Sequence, residues 1–162
     1  MATTDTARHI LVINDSPDIL ALFADLLTDE GYRVTTDTFT VEMGILHDHI
    51  RQIRPDLIIL DMIIGREDLG WQLTQLLKMS PQTNRIPLIL CTGAVKQVEE
   101  LATHLNTMAI GIVIKPFEID GLLAVIDRTW EKVANPNSVA LMPDTENLRT
   151  GVAEAPGAGP AS

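Results

Sequence analysis

The sequence predicts an α/β domain, with a parallel sheet and helices on both of its faces. Three observations predict it. Four short runs rich in Ile, Leu and Val, and one β-rich stretch, alternate with five stretches of helical periodicity, the pattern of repeated strand–helix units rather than of hairpins. Most of the runs are apolar throughout, as strands buried on both faces of a parallel sheet are. Polar residues close or follow the four apolar runs, and the carboxyl ends of such strands border the crevice where open α/β sheets bind ligands.

The elements follow in order. His9 to Ile13 is the first strand, with Asn14 and Asp15 just beyond it. Ser16-Pro17-Asp18 opens a helix: a hydroxyl cap, a proline at the first helical position and an acid at the positive end of the dipole. Ile19, Leu20, Leu22, Phe23, Leu26 and Leu27 form its apolar stripe, and Gly31 stops it. Tyr32 to Thr36 is β-rich, and Val41 to Ile53 is a second helix. Arg54-Pro55-Asp56 breaks that helix and leads into Leu57-Ile58-Ile59-Leu60-Asp61, an apolar run that ends in one carboxylate. After a loop, Leu69, Leu73, Leu76 and Leu77 mark a third helix that ends near Ser80-Pro81. Ile86 to Cys91 is the fourth strand, closed by Thr92-Gly93. A polar helix is expected over about 95–104, and a fifth strand over Met108 to Ile114 ends at Lys115-Pro116. Ile119, Leu122, Leu123, Ile126, Trp130 and Val133 give a final helix.

The expected organisation is one folded domain over 8–134, a disordered N-terminus over 1–7, and a disordered Pro/Gly/Ala-rich tail over 135–162. The chain of 162 residues carries a formal net charge of −10. An acidic chain argues against a broad footprint on the phosphate backbone of DNA or RNA. It favours a cation or a partner with basic patches. No apolar run approaches the length of a membrane span, and the N-terminus has no apolar signal core. Cys91 is the single cysteine, so no internal disulfide forms. A cytoplasmic protein is the simplest expectation.

In a parallel sheet the strand ends share one edge, so Asn14, Asp15, Asp61, Thr92 and Lys115 are expected as neighbours. Carboxylates, a hydroxyl and an ammonium suit phosphoryl chemistry: the carboxylates for Mg²⁺, the hydroxyl and lysine for phosphoryl oxygens. Simpler roles exist for each, as caps, turn residues or solvated side chains. His47-Asp48-His49 looks like a metal cluster, but successive residues diverge on a helix, so a polar helix face is expected. Cys91, Trp71 and Trp130 are read as packing residues.

The segments ILVINDSPD, LIILDM, LILCTGA and IVIKPF occur in the order and nearly the spacing of the receiver domains of bacterial two-component response regulators. The resemblance covers roughly residues 8 to 134. It implies a flavodoxin-like (βα)5 fold with strand order 2-1-3-4-5, and a signalling phosphoacceptor rather than an enzyme acting on other substrates. Asp61 matches the aspartate that takes a phosphoryl group from a histidine kinase or phosphotransfer protein. Asp15 matches a direct Mg²⁺ ligand, and Ile63 would give its backbone carbonyl to the same ion. Thr92 matches the switch hydroxyl, and Lys115 the lysine that pairs with phosphoryl oxygens. The Lys115–Pro116 bond is expected to be cis. A stand-alone receiver is expected, signalling to a downstream partner or a second copy through the fourth helix, fifth strand and fifth helix, without binding nucleic acid directly.

The chain departs from the family pattern at three places. Asn14 replaces an acid, so it can reach Mg²⁺ only through water held by its oxygen, and the site loses one negative charge. Ile64-Gly65 stands where the family has Met-Pro, in a loop one residue longer. Ile112 occupies a switch position that is commonly aromatic. These departures support an alternative, a pseudo-receiver that binds partners without phosphorylation. A flavin or nucleotide site is disfavoured, because no Gly-rich phosphate loop follows the first strand.

Overall fold

The computed structural model describes residues 7–64, 67–93, 96, 99–100 and 109–134. Nine elements are described: β1 (His9–Ile13), α1 (Pro17–Asp29), β2 (Arg33–Asp37), α2 (Met43–Ile53), β3 (Leu57–Asp61), α3 (Leu69–Met79), β4 (Leu88–Thr92), β5 (Ile110–Ile114) and α4 (Ile119–Ala134). The strands form one parallel sheet in the order β2-β1-β3-β4-β5, the flavodoxin-like order. The polar helix expected over about 95–104 lies largely outside the described residues, as do residues 1–6 and the tail from 135. The described residues fall into two compact units that divide along the chain between Leu88 and Ile89.

The first unit is built on β1. It pairs with β2 from His9↔Arg33 to Ile13↔Asp37 and with β3 from Ile10↔Leu57 to Ile13↔Leu60. All five residues of β3 are buried, whereas the β2 pattern is exposed and intermediate. Those two patterns are a central strand and an edge strand. Asp56 fixes the entry into β3, because its carboxylate accepts from His9 N at 2.7 Å while its own N–H donates to His9 O at 2.7 Å.

Helix α1 starts as its sequence implies. The Ser16 hydroxyl accepts from Ile19 N at 3.3 Å, and Pro17 takes the first helical position. Gly31, at φ +96°, reverses the chain into β2. The buried stripe is narrower than the sequence indicates: Leu20, Phe23 and Leu27 are buried, but Ile19 is 38% and Leu22 51% exposed. The six apolar residues span a wider arc of the helix than its contact with β1 and β2 covers.

Helix α2 begins at Met43, two residues later than its apolar content implies, and leaves Val41 and Ile45 exposed. Arg54 ends it in the left-handed region, φ 52°, with its N–H donating to Ile50 O. Non-glycine residues adopt that conformation at a cost of roughly 1–2 kcal/mol. α2 and α3 pack together. Between them His47 Nε2 meets Thr83 Oγ1 at 3.4 Å, and Thr83 in turn donates to Leu77 O at 2.7 Å.

In the second unit β5 is buried at all five residues, and α4 packs against it. Leu122, Val125, Ile126 and Thr129 make the buried face of α4, while Val133, expected in the stripe, is 37% exposed. Gly111 lets helix and strand approach closely. A Cβ there would overlap Thr129 Oγ1 and stand 3.1 Å from Val125 Cγ1. Thr129 is buried without penalty because its hydroxyl donates to Val125 O at 2.7 Å.

Candidate functional site

β1 and β3 are parallel neighbours, and their last paired residues are Ile13 and Leu60. The next residues, Asn14 and Asp61, therefore stand side by side. Both are buried, 4% and 7% exposed, and Asn14 Nδ2 donates to Asp61 Oδ2 at 3.0 Å. Asp15, one residue on, is exposed.

The Asn14 amide has one orientation. Ser16 N lies 2.8 Å from Asn14 Oδ1. A backbone N–H only donates, so the atom facing it is the oxygen, and the nitrogen faces Asp61. From sequence, the Asn14 oxygen is expected to orient water on a metal ion. In the structure that oxygen accepts from Ser16, and a donor is turned to the phosphoacceptor candidate. Asn14 also ties β1 to β2 through its backbone, Asn14 N donating to Asp37 O at 3.1 Å.

The segment after Asp61 is more ordered than the plain loop expected from sequence. Met62 is fully buried and Ile64 is 4% exposed. Ile64 and Glu67 exchange backbone hydrogen bonds of 3.0 and 3.2 Å, an isolated antiparallel bridge. Gly65 and Arg66 lie outside the described residues. Sequence reasoning passed over Gly70. A Cβ on it would overlap the Asp61 carbonyl oxygen and come within 2.8 Å of Met62 O. Only glycine lets α3 begin against the backbone that carries Asp61. Its one sequence signal is a glycine in the first turn of a helix, where glycine is otherwise a poor choice.

The donor set of the first unit fits a hard divalent cation. Asp15 and Asp61 offer carboxylate oxygens, and Ile63 follows Asp61 by two residues with no hydrogen bond among the described residues. Carboxylates, a carbonyl and water are donors of the kind Mg²⁺ takes. Among the described residues no group of three or more His, Cys, Asp or Glu is placed to hold a metal. His47, Asp48 and His49 are directed to separate partners: Thr83, Arg51 at 2.7 Å and Asp37 at 3.8 Å. His47 is half-buried rather than exposed as expected.

In the second unit Thr92 closes β4 and is 2% exposed. Lys115 follows β5, its side chain is exposed, and its backbone N–H donates to Thr92 O at 2.9 Å. The Lys115–Pro116 peptide is cis. Ile112 is 2% exposed within β5. Cys91 is a buried free thiol.

A sequence model of the response regulator receiver domain matches residues 10–127. The chain belongs to the response regulator receiver family. This receiver is 31% identical over 126 residues to the nitrogen assimilation regulatory protein NtrX of Azorhizobium caulinodans, covering 77% of this chain and 26% of that protein. It is 31% identical over 127 residues to protein Rrf1 of Nitratidesulfovibrio vulgaris, covering 74% of this chain and 80% of that one. The chain thus matches about a quarter of one relative's length and most of another's. Among solved structures, the receiver domain of NtrX from Brucella abortus aligns with a TM-score of 0.61 at 28% identity, over 75% of this chain and 98% of that one. The chemotaxis response regulator CheY4 of Vibrio cholerae aligns at the same TM-score and 24% identity, over 76% and 99%, a likeness of fold. No described helix of the receiver is long and apolar enough to cross a membrane.

Proposed function

We propose that this receiver accepts a phosphoryl group on Asp61 from a histidine kinase or a phosphotransfer protein, with Mg²⁺ as cofactor, and signals to a protein partner. The observation that carries the reading is the position of Asp61. It ends a fully buried strand, at the carboxyl edge shared with β1 and the Asp15 that follows. In the transfer an Asp61 carboxylate oxygen forms the new bond to phosphorus while the bond from phosphorus to the donor's histidine nitrogen breaks, leaving an aspartyl phosphate. The bound ion would supply charge neutralisation for the transferring group. Asp15, Asp61 and the Ile63 carbonyl would hold it. The Thr92 hydroxyl would donate to a phosphoryl oxygen, and the Lys115 ammonium would balance the charge that develops there.

Phosphorylation would bias a two-state equilibrium, read by a downstream partner or a second copy at β5, α4 and the 95–104 segment. Ile112 is aliphatic and buried, so this receiver would not report its state by burying an aromatic ring. The test is incubation with acetyl phosphate and Mg²⁺, followed by intact-mass measurement. A single added phosphoryl group, lost in Asp61→Asn, is expected. An unmodified protein, or an Asp61→Asn variant that labels like the wild type, refutes the reading.

The Asn14–Asp61 hydrogen bond favours a second reading. A carboxylate already holding a partner is what a receiver that binds its partners without phosphorylation would keep. In that case partner binding is unchanged by Asp61→Asn and by phosphoryl donors.

A further inference from the structure

We propose that Asn14 is a latch on Asp61: the amide nitrogen holds Asp61 Oδ2 in the metal-free protein, and a divalent cation competes with the amide for that oxygen. The inference rests on the phosphoacceptor reading and concerns how its site is regulated. Three observations carry it. The bond is buried, with Asn14 4% and Asp61 7% exposed, so solvent competes weakly for either partner. It runs from an amide to a carboxylate, a charge-assisted hydrogen bond about twice as strong as one between neutral groups. The amide is also held from behind, because Ser16 N–H occupies Oδ1 at 2.8 Å. Turning the amide over to present its oxygen to a cation would bring the NH₂ against the Ser16 N–H, donor to donor.

An NH₂ group is no ligand for Mg²⁺, which takes oxygen. Asn14 therefore acts on the metal as a competitor rather than as a weakened ligand. The two roles differ in sign. If Asn14 oriented water in the ion's shell, truncating it would weaken Mg²⁺ binding. If it is a latch, truncation removes the amide's competition for Asp61 Oδ2 and tightens binding. The small cavity and the unpaired Ser16 N–H left by Asn14→Ala are present with and without the ion. They lower the melting temperature but cancel from the metal dissociation constant.

The consequence is a receiver with a raised metal threshold. At low Mg²⁺ the phosphoacceptor is kept in place by its own chain. As Mg²⁺ rises the latch opens, and Asp61 enters the arrangement in which phosphoryl transfer is assisted.

The experiment is calorimetric titration of unphosphorylated protein with MgCl₂, for wild type, Asn14→Ala, Asn14→Asp and Asp61→Asn. The latch predicts an Mg²⁺ dissociation constant about tenfold tighter in Asn14→Ala than in wild type, the size of one charge-assisted hydrogen bond. It predicts tighter binding still in Asn14→Asp, and loss of binding in Asp61→Asn. Binding in Asn14→Ala that equals or falls below wild type, while Asn14→Asp gains, overturns the latch and leaves the phosphoacceptor reading standing. Absence of binding in every variant, Asn14→Asp included, overturns both. Should Asn14→Ala fail to fold, the wild type carries the test. The side-chain NH₂ resonances of Asn14 should shift with Mg²⁺ saturation and exchange faster with solvent, and resonances unmoved at saturation refute the latch.

Discussion

Gly70→Ala tests the contact that joins α3 to the carboxyl end of β3. Two effects oppose one another. In an exposed helix, replacing glycine by alanine stabilises by about 1 kcal/mol. At Gly70, however, the added methyl would overlap the carbonyl oxygen of Asp61 and come within 2.8 Å of the Asp61 carbonyl carbon and of Met62 O. All three atoms are backbone, so no rotamer change relieves the contact. The first turn of α3 must retreat by on the order of 1 Å in an interior packed at crystal density. Overpacking of this kind costs about 3 kcal/mol at the upper end of its usual range. The clash therefore wins, with a net loss of about 2 kcal/mol. That loss lowers the melting temperature by roughly 6–10 °C in a domain of this size. Urea denaturation with an unchanged m-value is the measurement. Gly44, in the first turn of α2 with nothing within 4 Å of its Cβ position, is the internal control. Gly44→Ala should stabilise by up to about 1 kcal/mol. A Gly70→Ala variant as stable as wild type, or one that tracks Gly44→Ala, would refute the close approach of α3 to Asp61.

Two further outcomes follow from the first unit. His9 sits at the start of β1, with Nε2 hydrogen-bonded to Thr35 Oγ1 at 2.6 Å. Burial, then the neighbouring Arg33, holds its pKa below 6.5, and Asp56 only partly opposes them. The folded state thus prefers the neutral ring while the unfolded chain protonates near pH 6.5. Stability from this group is complete above that pH and declines as pH falls towards the folded pKa. The urea midpoint should drop between pH 7.5 and 5.5, and less so in His9→Gln; an identical slope in the variant would exclude His9 as the source. Arg54→Gly relieves the left-handed conformation at the end of α2 and should raise stability by up to about 1 kcal/mol, despite glycine's greater freedom in the unfolded chain. A fall in melting temperature would mean that the arginine side chain contributes more than its backbone strain costs.

Much of this receiver was legible along the chain because its signals are local. The run from Leu57 to Leu60 is apolar at every position, and it is a strand buried at every position, with Asp61 at its end. Ser16-Pro17-Asp18 specifies a helix start through atoms within three residues of one another, and the cap is there. Asp61 and Thr92 close β3 and β4, and Lys115 follows β5, where the apolar runs of the sequence end. Alternation of apolar runs with helical periods was enough to give the parallel sheet.

What the chain alone left open depends on contacts between distant residues. Ile19 and Leu22 share the apolar content of α1 with Leu20 and Phe23, and only the width of the packed face leaves the first pair in solvent. Gly70 is an ordinary helical glycine until the Asp61 carbonyl is brought against it. Asn14 shows the difference most clearly. Its identity told only that an amide stands where the family has an acid. An amide carries an acceptor at one end and a donor at the other, and sequence does not say which end meets a residue 47 positions away. That was decided by the β1–β3 register, which sets Asn14 beside Asp61, and by one backbone N–H at Ser16, which can only donate and so turns the nitrogen towards the carboxylate.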